Sequence, residues 1–134
     1  MIKLALPLLW LTIPLIASTV YAETKQDLFL AAIQGKQSRV QNMLVQGLDV
    51  NSTVNGKRTA LMAAAHNGNY KTIQLLLTYG ADVNLSDQQG VTALMNAVNF
   101  GDEKIVQLLI NAGADIDAKD AKNTSVLERA KKTQ

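Results

Sequence analysis

Apolar positions along this chain follow a helical period in short bursts, and each burst ends at a glycine. Within the stretch Thr59 to Asn84, Leu61, Ala64 and Ala65 lie three to four residues apart and share one helical face, with Gly68 just beyond. Ile73, Leu76 and Leu77 then form a second apolar stripe, from about Tyr70 to Thr78, closed by Gly80. Glycine accepts a left-handed backbone without Cβ strain, so Gly68 and Gly80 predict helix ends. Asp82-Val83-Asn84 follows as a short extended piece leading into a polar turn. The predicted unit is helix, turn, helix, extended loop.

The unit repeats. Gly35, Gly68 and Gly101 are spaced 33 residues apart, as are Leu28, Leu61, Leu94 and Leu127. Ala31, Ala64, Ala97 and Ala130 keep the same step, and so do Met43, Leu76 and Leu109. The tail of the unit recurs as Gly47-Leu48-Asp49-Val50-Asn51, Gly80-Ala81-Asp82-Val83-Asn84 and Gly113-Ala114-Asp115-Ile116-Asp117. A single unit cannot bury its apolar face alone, so the copies must stack.

These residues resemble the ankyrin repeat family, whose unit runs roughly G-x-T-P-L-H-x-A-A-x-x-G, an apolar helix, then L-L-x-x-G-A-D-V-N. The resemblance implies an all-α ankyrin-repeat solenoid of about three and a half helix-turn-helix repeats joined by β-hairpin-like loops. The repeats cover about 25–51, 52–84 and 85–117, with a partial C-terminal cap over 118–134. The first repeat lacks a hairpin and starts with a helix from Asp27 to Gln34. Thr59 and Thr92 are placed to cap the helices that follow. Where the family has T-P-L-H, this chain has Thr59-Ala60-Leu61-Met62 and Thr92-Ala93-Leu94-Met95, which predicts looser hairpins. Gly56 is displaced, so Lys57 occupies the usual glycine position of its turn. Ser125-Val126-Leu127-Glu128 reads as a capping box, with Leu127 and Ala130 completing the apolar contact.

Residues 1–22 stand outside the repeat. A basic start at Lys3, an apolar run from Leu4 to Ile16 and a small-residue stretch ending Val20-Tyr21-Ala22 have the layout of a secretory signal peptide cleaved after Ala22. The expected mature chain, 23–134, then acts in the bacterial periplasm or outside the cell. The rival reading is an uncleaved anchor, because the run extended to Ala22 approaches the ~20 residues of a spanning helix.

Composition narrows the function classes. Thirteen basic against eleven acidic residues give a net charge of +2, which is not the footprint of a nucleic-acid binder. There is no cysteine, hence no disulfide, thiol nucleophile or thiolate metal site. His66, the only histidine, has no partner at ligand or triad spacing, so it reads as a surface residue. Asp49, Asp82 and Asp115 suit self-bonding turns better than calcium ligands, being a whole repeat apart. No catalytic residue, metal or cofactor is expected, and an enzyme is the least supported class.

The resemblance places the binding surface at the hairpin tips and the concave face of the first helices. Carried over by position, it selects Asn55, Lys57 and Arg58, then Gln88, Gln89 and Val91, then Lys122 at the tips. It selects Met62, His66, Asn67, Met95, Asn99 and Phe100 on the helices. Val91, Met95 and Phe100 are expected to share one side. Phe100 has two readings, as part of an interaction patch or as a cover for its own helix pair. The function expected is a non-catalytic protein–protein interaction module, a monomer whose partner is another protein, serving as accessory or inhibitor of a periplasmic enzyme. The competing class is a membrane-tethered structural scaffold.

Overall fold

The computed structural model describes residues 23–134. The secretory signal read over residues 1–22, and its anchor alternative, lie outside the described residues. Seven α-helices occur among the described residues: α1 (Lys25–Ile33), α2 (Gln37–Val45), α3 (Ala60–His66), α4 (Tyr70–Thr78), α5 (Ala93–Phe100), α6 (Glu103–Asn111) and α7 (Val126–Lys132). None is long and apolar enough to cross a membrane.

The helices pack in two layers. First helices α1, α3, α5 and α7 lie side by side, and second helices α2, α4 and α6 form the layer behind them. The core between the layers is built from the recurring positions Leu28, Leu61 and Leu94; Met43, Leu76 and Leu109; and Val40 and Ile73, whose counterpart Val106 is half-buried beside the fully buried Ile105. Runs of alanine, Ala63-Ala64-Ala65 above all, let neighbouring first helices approach closely.

Short polar side chains start the helices. The Oγ1 atoms of Thr59 and Thr92 accept from the N–H of Met62 and Met95, each at 3.3 Å. Ser125 and Glu128 form the reciprocal box expected at α7. Helix α1 begins two residues before the expected Asp27. Thr24 caps it, and the Asp27 carboxylate answers by accepting the Thr24 N–H at 2.9 Å. The Thr24-x-x-Asp27 spacing carried that signal.

The hairpins differ in wiring. The first pairs β1 (Thr53–Val54) with β2 (Arg58–Thr59), antiparallel, around a 3-10 turn at Asn55–Lys57. The other two hairpins have single bridges, Ser86 with Thr92 and Lys119 with Ser125. There, aspartate replaces strand pairing. Asp87 Oδ1 accepts from the N–H of Gln89 and Val91, and Asp120 Oδ1 from those of Lys122 and Thr124. Val54 holds the equivalent position in the first hairpin and cannot accept, so the backbone pairs with itself. The hairpins expected to be loose are thus each held by identifiable bonds.

The Asp-x-Asn loops stitch one repeat to the next. Asp49, Asp82 and Asp115 each accept the N–H two residues on, at 2.9 Å. Asn51 Oδ1 accepts the N–H of Asp82 at 2.7 Å, and Asn84 Oδ1 that of Asp115 at 2.8 Å. Asn69 donates from Nδ2 to the carbonyls of Ala32 and Ile33, tying α4 to the end of α1.

The two ends of the stack are finished differently. At the N-terminal end Arg39 takes the position held by Thr72 and Ile105, and it pairs with Glu23 at 3.1 Å and Asp27 at 3.4 Å. At the C-terminal end, among the described residues, no second helix lies behind α7. Leu127, expected to complete the apolar contact, is exposed instead, and Val126 makes the contact from the Ala60 and Ala93 position.

Candidate protein-interaction surface

The hairpin tips form one continuous edge. The Gln88 N–H donates to the Gly56 carbonyl and the Ala121 N–H to the Gln89 carbonyl, both at 2.8 Å. These two bonds fix adjacent tips at the repeat spacing. Asn55, Lys57, Arg58, Gln88, Gln89 and Lys122 are all exposed along the edge. Val91 is half-buried at the foot of the second tip.

The charge of the edge follows from the wiring. Oδ1 of Asp87 and of Asp120 is turned inward onto main-chain N–H groups, and Oδ2 of Asp120 pairs with Arg129. Asp120 is held below the usual aspartate range, first by the Thr124 N–H and further by the Arg129 guanidinium, which also pairs with it. What the tips offer outward is therefore cationic at both ends, Lys57 and Arg58 on one side and Lys122 on the other, with the amides of Gln88 and Gln89 between.

Arg58 leans over the Phe29 ring, its guanidinium carbon 4.9 Å from the centroid. Beside it a shallow groove of about 270 Å³ is lined by Gln26, Phe29, Leu30, Val54, Asn55 and Arg58. Phe29 and Leu30 were not among the predicted surface residues. Their signal was positional: Leu30 aligns with Ala63, which is sealed between α1 and α5, whereas among the described residues nothing stacks on the other side of α1.

Two predicted contact residues are corrected. Met62 and Met95 are buried, not displayed on the concave face. Helix α3 is flanked by α1 and α5 and backed by α4, which buries all of Ala60 to Ala65. Only its exit, His66 and Asn67, reaches solvent. Helix α5 behaves alike, exposing Asn99 and Phe100 at its end. Val91, Met95 and Phe100 therefore do not form one patch. They lie at the foot, in the interior and at the far end of α5.

The helix exits make a second, separate strip, about 10 Å from the tips at 1.5 Å of rise per residue. Asn67 donates from Nδ2 to the Ala63 carbonyl at 2.9 Å, so its amide is already engaged. Phe100 lies against Gly68 of the preceding repeat, where an added Cβ would come within 2.2 Å of the ring. It thus reaches onto the preceding repeat, while about half of it, 52 %, stays exposed. Among the described residues no three His, Cys, Asp or Glu side chains converge as a metal site.

A stack of helix pairs presenting a rigid row of hairpin tips defines a repeat-built binding protein. A family profile for ankyrin repeats matches residues 28–120 in three copies, and the chain belongs to the ankyrin repeat family. Ankyrin repeats are in general protein–protein interaction modules, and typically non-catalytic. No curated protein matches the chain.

Proposed function

We propose that this protein binds another protein in the bacterial periplasm, as accessory to or inhibitor of an enzyme there, with the hairpin-tip edge as its contact surface. The observation that carries the site is the row of tips locked to one another by the Gln88–Gly56 and Ala121–Gln89 main-chain bonds. That row faces outward with Lys57, Arg58 and Lys122, which suits a partner surface rich in carboxylates and carbonyls. The Phe29–Leu30 groove beside Arg58 supplies an apolar anchor point at one end of the row. Periplasmic action rests on the signal-like layout of residues 1–22.

The test compares baits. Wild type and a Lys57→Glu/Arg58→Glu/Lys122→Glu variant of matched circular dichroism are used to capture proteins from periplasmic extract. A partner retained by wild type and lost from the variant supports the edge as the site. Equal retention by both refutes it. Mass spectrometry of the protein from its native cell is expected to give a chain beginning at Glu23, and an intact N-terminus would favour the tethered scaffold.

A further inference from the structure

Two asparagine–glycine pairs occur in the chain, Asn55-Gly56 at the first hairpin tip and Asn67-Gly68 at the exit of α3. The first exists because the turn glycine is displaced: the same positions read Gln88-Gln89 in the second tip and Ala121-Lys122 in the third. Asparagine is a thermolabile side chain. A glycine after it has no Cβ to screen the carboxamide carbon from the next main-chain nitrogen. The fold treats the two pairs oppositely. Asn67 donates from Nδ2 to the Ala63 carbonyl at 2.9 Å, and the Gly68 N–H donates to the Ala65 carbonyl at 3.4 Å. The Phe100 ring lies over Gly68, where an added Cβ would meet it at 2.2 Å. Asn55 is exposed and has no such tether among the described residues. Around Gly56 an added Cβ would meet only side-chain atoms of Arg58 and Gln88, none closer than 3.9 Å. The Gln88 N–H holds the Gly56 carbonyl, across the Cα from the Gly56 nitrogen, and so leaves that nitrogen unoccupied. Gly56 and Lys57 are both left-handed, at φ 77° and 59°. Val54 also lacks the carboxylate with which Asp87 and Asp120 tie the other tips.

We propose that Asn55-Gly56 is a site of spontaneous deamidation, which adds a carboxylate to the cationic tip edge, while the fold keeps Asn67-Gly68 intact. The Gly56 nitrogen attacks Cγ of Asn55 and gives up its proton. The Cγ–Nδ2 bond breaks, ammonia leaves and a succinimide ring closes. Water then adds to one of the two ring carbonyls and opens the ring to an aspartate or an isoaspartate link. The sum is amide plus water to acid plus ammonia, with no other reactant. The new carboxylate stands beside Lys57 and Arg58, so it halves the net charge of that end of the edge. The site itself does not depend on what the edge binds. Its consequence rests on the reading of the edge as the contact surface, where the added charge weakens attraction to an acidic partner.

Peptide mapping by mass spectrometry tests the proposal on the full-length product, as processed in its cell, aged at physiological temperature and mildly alkaline pH. The acid form, part of it isoaspartate, is expected to accumulate at position 55. Position 67 should convert about tenfold more slowly or less, a factor set by the hydrogen bonds that must open there. In denaturant the two pairs should convert at comparable rates, which isolates the contribution of the fold. Phe100→Ala, which uncovers Gly68, should speed position 67 and leave position 55 unchanged. Asn55→Gln should abolish the acid form at the tip with unchanged circular dichroism. Equal rates at the two positions in the folded protein overturn the proposal, and so does faster conversion at position 67. Conversion at position 55 together with full partner capture by Asn55→Asp would count against the edge as the contact surface and leave the deamidation site standing.

Discussion

At the scale of single residues, the turn positions carry the clearest consequences. Lys57, Gly90 and Asn123 are one repeat apart and all have positive φ, at 59°, 73° and 61°. The sequence showed that lysine stood where the family places glycine, and the backbone keeps the left-handed turn regardless. Lys57→Gly should therefore stabilise the protein by about 1 kcal/mol, the left-handed cost of an ordinary residue less the entropy of a glycine. Gly90→Ala should do the reverse, by about 1–3 kcal/mol, since its Cβ would also meet the Ala121 nitrogen at 2.9 Å. Denaturant unfolding of each variant measures both. Asn84 joins two repeats through both atoms of its amide, to the Asp115 N–H and the Gly113 carbonyl. Asn84→Ala should cost about 1–3 kcal/mol, because it removes two hydrogen bonds that join the repeats, each worth about 0.5–1.5 kcal/mol.

At the scale of elements, the second helices hold the core and the terminal helices hold its ends. Leu76 and Leu109 are fully buried, as the apolar stripe of α4 and α6 predicted. Truncation of either to alanine should cost about 2–5 kcal/mol in thermal or denaturant unfolding. The depressed carboxylates sit at the ends. Asp27 is lowered first by the Thr24 hydroxyl, Glu128 first by the Ser125 N–H, and Asp120 first by the Thr124 N–H. A carboxylate whose folded pKa is depressed contributes stability above its unfolded pKa and loses it as pH falls through the folded value. Acid should thus loosen α1 and α7 before α3 and α4, as pH drops below about 4. Hydrogen exchange followed from neutral to acid pH reads this directly, and simultaneous loss across all helices would refute it. The capping box of α7 was legible in Ser125 and Glu128. Its counterpart at α1 was equally present in Thr24 and Asp27, but aspartate is the shorter and less familiar partner at that position.

At the scale of the whole molecule, deletion of residues 125–134 should lower the melting temperature and promote aggregation, since it removes Val126 and leaves Asp120 without Arg129. The sequence by itself determined the repeat, the helix pairs, the caps and the positions of the core. Each of these is set within one period, by 3.6-residue spacing and by glycine, threonine and aspartate acting on their own backbone. It also placed the exposed tips at Asn55 to Arg58, Gln88 to Gln89 and Lys122. Only the tertiary structure decided which faces remain free, because exposure depends on neighbours a whole repeat away. Met62 and Met95 stand where the family pattern has histidine, yet each is buried inside a helix sandwiched between two others. Phe100 rests on Gly68, and Leu30 and Leu127 are exposed at the two ends of the described stack, where their equivalents Ala63 and Leu94 are buried. Local periodicity fixes what each residue could bury, and the stack, with its two unlike ends, fixes what is left for a partner to meet.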